Sequence, residues 1–174
     1  GVVPKQYLPN RHEYYEPRWF ISGRDITQST ISLLGQQVPF GTDLLFFVPD
    51  NELMFGIEIC EDLWAPNPPS SSLCIAGAQL ILNLSASSEI LGKAAYRREL
   101  IRQQSARCLC AYAYASAGPY ESSTDLVFSG HCIVAENGHQ LAESKRFCFE
   151  NTITQADIDL QQLKHERSRN NTFA

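Results

Sequence analysis

A thiol, an ammonium and several carboxylates stand where they could act together on a carbonyl carbon. Cys60 closes the apolar run Leu53-Met54-Phe55-Gly56-Ile57-Glu58-Ile59 and is followed at once by Glu61, Asp62, Leu63 and Trp64. Lys5 follows Val2-Val3-Pro4, and Glu13 comes eight residues later in a stretch dense in aromatics. The thiolate is the nucleophilic form of cysteine, and a neighbouring ammonium favours it over the thiol. The same ammonium can donate to the oxyanion that develops when a carbonyl is attacked. Each residue also has an ordinary use. A free cysteine is most often a small core hydrophobe, and a lone lysine is most often a solvated surface charge. Chemistry therefore depends on elements that bring these groups to one place.

Strand ends meeting loops are where α/β folds place their chemistry. Residues 1–4 read as a strand leading into Lys5, and residues 6–23 as a loop rich in aromatics and proline. Residues 44–48 and 53–60 read as two strands joined by Pro49-Asp50-Asn51-Glu52, a hairpin connection. Residues 66–72 read as a loop, with Ser72 the expected cap of a short helix reaching Gly77. Residues 79–84 form a near-continuous apolar strand, as expected when both faces are covered, and residues 83–88 a small polar loop at its end. The spacing predicts a helix over 92–108, with Ala94, Ile101, Ser105 and Cys108 inward and Arg97, Arg98, Glu99 and Arg102 on a solvated face. Residues 111–115 read as a strand ending at Gly118, and residues 126–135 and 140–149 flank Glu136-Asn137-Gly138-His139, a strong hairpin signal. A charged amphipathic helix is expected over 156–167. Strands and helices in this mixed order, with a β-α-β unit over 79–115, give an α/β layered fold with a mixed sheet. Its exits gather Lys5, Cys60, residues 83–88 and residues 118–125 on one rim.

The 174 residues fit one domain and, at 44% hydrophobic, support a packed core. The net charge is -5 and no basic patch stands out, which argues against a nucleic-acid partner. No apolar run approaches the roughly 20 residues that span a bilayer, so no membrane partner is expected. No signal peptide is read, and the strand-like start without Met is expected to lie inside a domain. The six cysteines include no C-x-x-C pair and the four histidines are scattered, so no metal site is expected. Reduced thiols and a cytoplasmic location are the expectation.

The segments Val3-Pro4-Lys5-Gln6-Tyr7-Leu8-Pro9-Asn10, Glu13-Tyr14-Tyr15-Glu16, Gly56-Ile57-Glu58-Ile59-Cys60-Glu61-Asp62-Leu63-Trp64, Asn83-Leu84-Ser85-Ala86-Ser87 and Glu121-Ser122-Ser123-Thr124-Asp125 belong together. So do Gly92-Lys93, Gln104-Ser105-Ala106-Arg107-Cys108, Tyr114-Ala115-Ser116-Ala117-Gly118 and Glu136-Asn137-Gly138. With them the chain resembles the nitrilase (carbon–nitrogen hydrolase) superfamily, and within it the glutamine amidotransferase domains of glutamine-dependent NAD+ synthetases. The resemblance implies a nitrilase-type α-β-β-α sandwich with mixed sheets. Residues 1–174 would be its C-terminal portion, ending near the linker to a synthetase domain, with the N-terminal part of the sandwich preceding Gly1.

The resemblance implies catalysis by Cys60 as nucleophile and Lys5 as oxyanion donor, with Glu13 positioning the lysine. The family's general-base glutamate would precede the chain, so little activity is expected of these residues alone. L-glutamine is the implied substrate. Glu61 and Ser87 would hold its α-amino group, Tyr14 and Trp64 would form pocket walls, and Lys93 would lie near its α-carboxylate. Arg11 replaces a common tyrosine, and Pro119-Tyr120 replaces a glycine-containing pair. No Ser-Gly-Gly-x-Asp-Ser nucleotide loop occurs, so ATP and Mg2+ are expected only in the synthetase domain, and no cofactor in this chain. A homo-oligomer is expected. Two other readings stay open: a nitrilase-type amidase acting on another amide, and a truncated, catalytically inactive domain. A cysteine protease needs a histidine partner, and no histidine here has a recognisable setting.

Overall fold

Alternating burial along the strands defines the inner face of a six-stranded mixed sheet. A computed structural model describes residues 1–173. β3 (Leu45–Val48), β4 (Leu53–Ile59), β5 (Leu80–Ser85), β6 (Ala111–Ser116), β7 (Cys132–Glu136) and β8 (His139–Glu143) lie side by side in chain order, after an outlying hairpin of β1 (Thr30–Leu33) and β2 (Gln36–Pro39). β4, β5 and β6 are parallel, and the flanking pairings are antiparallel. Parallel neighbours need crossover connections. These are supplied by α1 (Pro69–Ile75) between β4 and β5, and α2 (Lys93–Arg107) between β5 and β6.

Register places Gly56, Ile81, Tyr112 and Ala135 in one row, and Glu58, Asn83, Tyr114 and Ile133 in the next. All are buried, under Leu73 of α1 and Ile101 of α2. Gly56 is required by this packing, because a Cβ there would lie 2.9 Å from Leu73 Cδ1 and 3.3 Å from Ile81 Cδ1. The opposite rows are apolar as well: Ile57, Leu82, Ala113 and Val134, then Ile59, Leu84, Ala115 and Cys132. They are only half-buried or exposed, Leu84 at 60%. Beside the outlying hairpin, the described residues thus build one large sheet and one helical layer, half of the expected sandwich.

Asn137 and Gly138 both have positive φ (44° and 85°), the two-residue turn expected between β7 and β8. α3 (Leu160–Ser168) begins at the Asp159 cap, buries Leu163, and sends the Arg167 guanidinium onto the carbonyls of Ala78, Cys108 and Leu109. All six cysteines are free. Among the described residues no helix is long and apolar enough to cross a membrane.

Several expectations are corrected. Residues 1–4 form no regular strand, only a parallel bridge from Val2 to Phe40 beside the β1–β2 hairpin, which the pattern did not reveal. That hairpin is largely exposed, so it carries no burial signal. α1 starts at Pro69 rather than after Ser72, since proline suits the first helical position, where an N–H would lack a partner. Asn83 to Ser85 belong to β5 rather than to the loop after it.

Arg97 is fully buried rather than solvated. Its Nη1 donates to Glu89 Oε1 at 2.5 Å and to His131 Nδ1 at 2.8 Å. A guanidinium only donates, so His131 accepts at Nδ1 and carries its proton on Nε2, which donates to Glu143 Oε1 at 2.6 Å. Burial lowers the His131 pKa, in keeping with this neutral ring. Ion-pairing is what allows α2 to press an arginine onto the sheet.

The close approach at Gly56 makes Gly56→Ala a sharp test of α1–sheet packing. The added methyl should destabilise the fold by about 1–3 kcal/mol, as overpacking does, read as a lower denaturant midpoint. An unchanged midpoint would show that α1 shifts freely.

Candidate active site

Cys60 follows β4 at the C-terminal end of the parallel strands and opens a 3-10 turn, Cys60–Trp64. Its φ is +51°, a left-handed conformation that costs about 1–2 kcal/mol for an L residue. A buried polar relay holds it there. The Cys60 N–H donates to Asn83 Oδ1 at 3.2 Å, and Asn83 Nδ2 donates to the Tyr112 oxygen at 3.0 Å. The Tyr112 hydroxyl donates in turn to Glu58 Oε1, whose second oxygen accepts the Ser70 N–H at 2.8 Å. Burial pushes the Glu58 carboxyl up to about 7, against the pull of these donors.

Asp62 joins the lysine segment to this elbow. Its carboxylate, 1% exposed, accepts N–H bonds from Ile59 at 2.9 Å, Tyr7 at 2.7 Å and Gln6 at 3.1 Å. Burial raises its pKa, while the backbone donors and the Lys5 charge oppose that rise. Lys5 is therefore anchored by its neighbours Gln6 and Tyr7, and its Nζ reaches both oxygens of Glu16 at 2.6 Å. Lys5, Glu16, Tyr14, Ile59 and Cys60 border a cavity of about 550 Å³.

The carboxylate paired with Lys5 is Glu16, not the expected Glu13. Glu13 is exposed and lies on a different cavity, whereas Glu16 opens a 3-10 turn, Glu16–Arg18, pinned by its N–H to the Pro9 carbonyl. The resemblance named only Glu13; Glu16 lies three residues further on, and the turn decides which carboxylate faces inward.

The second cavity, about 520 Å³, is bordered by Cys60, Glu61, Trp64, Tyr14, Ser87 and Lys93, with Arg11 and Glu13 at its edge. All the sequence-predicted contact residues thus meet there, and Cys60 and Tyr14 border both cavities. The Tyr14 hydroxyl donates to the Ala86 carbonyl at 2.9 Å and accepts the Ser88 N–H at 3.0 Å, stitching the first loop to the segment after β5. Lys93 opens α2 with its Nζ 5.3 Å from the Trp64 ring centre. Burial lowers the Lys93 pKa, helped by the Arg97 charge and opposed by the nearby acids. Glu61 Oε1 accepts Arg11 Nη2 at 2.8 Å. A thiol thus sits between a lysine–carboxylate pair and a chamber offering an ammonium, a carboxylate and aromatic faces.

Asp62 and Asn83 were not anticipated as site residues, although both lie in segments singled out by sequence. Their roles are hydrogen bonds to the backbone of distant segments, which spacing does not encode. Pro119 and Tyr120 line neither cavity.

A family model for the carbon-nitrogen hydrolases matches residues 4–167. The chain is 48% identical over 174 residues to the glutamine-dependent NAD(+) synthetase of Mycobacterium tuberculosis, covering 99% of this chain and 26% of that protein. The Mycobacterium leprae enzyme of the same name is 46% identical, with 99% and 25% covered. The chain thus spans about a quarter of the length of the curated relatives it matches. The solved glutamine-dependent NAD(+) synthetase of Cytophaga hutchinsonii superimposes with a TM-score of 0.73 at 32% identity, over 87% of this chain and 24% of that one. A carbon-nitrogen hydrolase of Helicobacter pylori shares the fold, with a TM-score of 0.68 at 18% identity over 97% of this chain and 55% of that one.

The buried Glu58 should be visible in the pH dependence of stability. Its carboxyl keeps its proton up to about 7 in the folded state but only to 4.5 when unfolded, so folding takes up a proton in that window. Its contribution to stability is present below the lower value and is lost as pH rises through the upper one. Glu58→Gln should therefore lose less stability than the parent across this interval, read as the difference in denaturant midpoints. Parallel pH profiles for the two proteins would contradict the assignment.

Proposed function

The chain belongs to the carbon–nitrogen hydrolase family, and on that premise we propose that it hydrolyses the side-chain amide of L-glutamine to supply ammonia within a glutamine-dependent NAD+ synthetase. The observation that carries this reading is the placing of Cys60 on the border of two cavities. One holds Lys5 and Glu16, the other Glu61, Ser87 and Lys93.

Cys60 attacks the amide carbon of glutamine as thiolate. The negative charge moves to the carbonyl oxygen, which Lys5 Nζ and the Glu61 N–H stabilise. The first N–H groups of a helical turn lack intrahelical partners, which leaves that of Glu61 available. Glu16 holds the Lys5 ammonium in place. The carbon–nitrogen bond then breaks, and ammonia leaves with the proton that a general-base carboxylate outside this chain took from the Cys60 thiol. The γ-glutamyl thioester on Cys60 is hydrolysed by a water that the same base activates, releasing glutamate. Glu61 and Ser87 receive the α-amino group, Lys93 the α-carboxylate, and Tyr14 and Trp64 the aliphatic stem.

Residues 1–174 are the C-terminal portion of the glutaminase domain, and the half-buried apolar face of the sheet is where the remaining strands of the sandwich pack. The synthetase domain binds ATP and Mg2+, adenylates deamido-NAD+ and takes the ammonia, so the whole protein is a ligase. A sheltered transfer suits ammonia, which in water would protonate and lose its nucleophilic lone pair. The protein is cytoplasmic and works as a homo-oligomer.

In the full-length protein, Cys60→Ala should lower ammonia release from glutamine by at least about a thousandfold, while an ammonium salt still supports NAD+ formation. Undiminished release from glutamine would remove Cys60 as nucleophile. Faster release from an unrelated amide would favour a different amidase.

A further inference from the structure

Arg11 and Glu61 form an ion pair on the chamber that ends at Cys60. Arg11 Nη2 lies 2.8 Å from Glu61 Oε1, with the arginine side chain 60% exposed and the glutamate 23%. Lys93 borders the same chamber against Trp64. An ion pair with one exposed, flexible arm is weak and screened, so its partners exchange readily. The carboxylate it occupies stands directly after the nucleophile in sequence, where an incoming ammonium would need it.

We propose that Arg11 is a specificity residue for the zwitterionic head of an α-amino acid, resting on the glutamine reading above. The ligand's ammonium takes Glu61, and the released guanidinium takes the ligand's carboxylate together with Lys93. One internal ion pair is exchanged for two with the ligand, so the chamber's charges stay balanced. A guanidinium can hold a carboxylate through two parallel N–H bonds, which adds direction to the attraction. A ligand with an ammonium but no carboxylate would displace Arg11 and give it nothing in return. Discrimination then comes from the unpaired group left behind as much as from the pair that forms. Exposure suits Arg11 to this task, because its side chain swings without disturbing the core.

The test uses the full-length protein, L-glutamine, and 4-aminobutanamide, which is glutamine without its α-carboxylate. Arg11→Ala should raise KM for glutamine about tenfold, the scale of one lost charge-assisted contact, with a much smaller change in kcat. For 4-aminobutanamide, kcat/KM should hold or rise up to a few-fold, because Arg11 has no carboxylate to hold there and no longer competes for Glu61. Where its turnover is too slow to follow, its inhibition constant against glutamine is read in the same way. Arg11→Lys should recover part of the loss. An unchanged or lowered KM for glutamine in Arg11→Ala would overturn the proposal, leaving Arg11 as a mask over Glu61. So would equal losses on both compounds, the mark of a distorted pocket. A parent protein that releases no ammonia from glutamine would instead overturn the glutaminase reading, and this inference with it.

Discussion

The carboxylate of Asp62 is what brings a lysine and a cysteine onto one cavity. Lys5 belongs to an irregular segment whose one β-bridge joins Val2 to Phe40, and Cys60 to a turn at the end of a strand. Asp62 accepts one N–H from the strand end and two from the residues after Lys5, so one buried side chain ties the Lys5 segment to the Cys60 turn. Without it, three N–H groups would lose their acceptor, at about 1–3 kcal/mol for each left buried and unpaired. Glu16 completes the arrangement by aiming the ammonium. The lysine therefore arrives by hydrogen bonding rather than by secondary structure.

A second constraint comes from beneath. The left-handed Cys60 is a strained residue, and strain of this kind persists only where the surroundings over-determine it. Here the surroundings are Asn83, Tyr112 and Glu58, a polar relay laid across three parallel strands on the side of the sheet that the helices cover. The relay makes the inner face less apolar than a packed core needs, and Gly56 lets Leu73 close over it. Function and packing thus compete for the same rows of side chains.

What was legible in the sequence follows from this division. Strands β4 to β8 and helix α2 carry their own periodicity, and the Asn137-Gly138 turn announces itself by residue type. That Lys5 and Cys60 share one cavity, and that Tyr14, Glu61, Trp64, Ser87 and Lys93 share the other, was legible through the resemblance carried by the segments that surround them. The β1–β2 hairpin was not, because its side chains face solvent and leave no burial pattern. Arg97 was misread because a charged residue at a helical position reads as solvated unless its partners, Glu89 and His131, are known to lie across from it. The resemblance pointed to Glu13 where Lys5 in fact pairs with Glu16, since the direction of a side chain in an irregular loop depends on contacts such as that of the Glu16 N–H with Pro9. Asp62 shows the same limit in another form: its place beside Cys60 was plain, and its reach to Gln6 and Tyr7 was not.

The most direct measurement is a crystal structure of the full-length protein with a diazoketone analogue of glutamine bonded to the Cys60 sulfur. The adduct's carbonyl oxygen should lie about 3 Å from Lys5 Nζ, with that nitrogen still on Glu16 and Asp62 still bound to the N–H groups of Gln6 and Tyr7. An adduct oxygen turned away from a lysine out of reach would contradict the account.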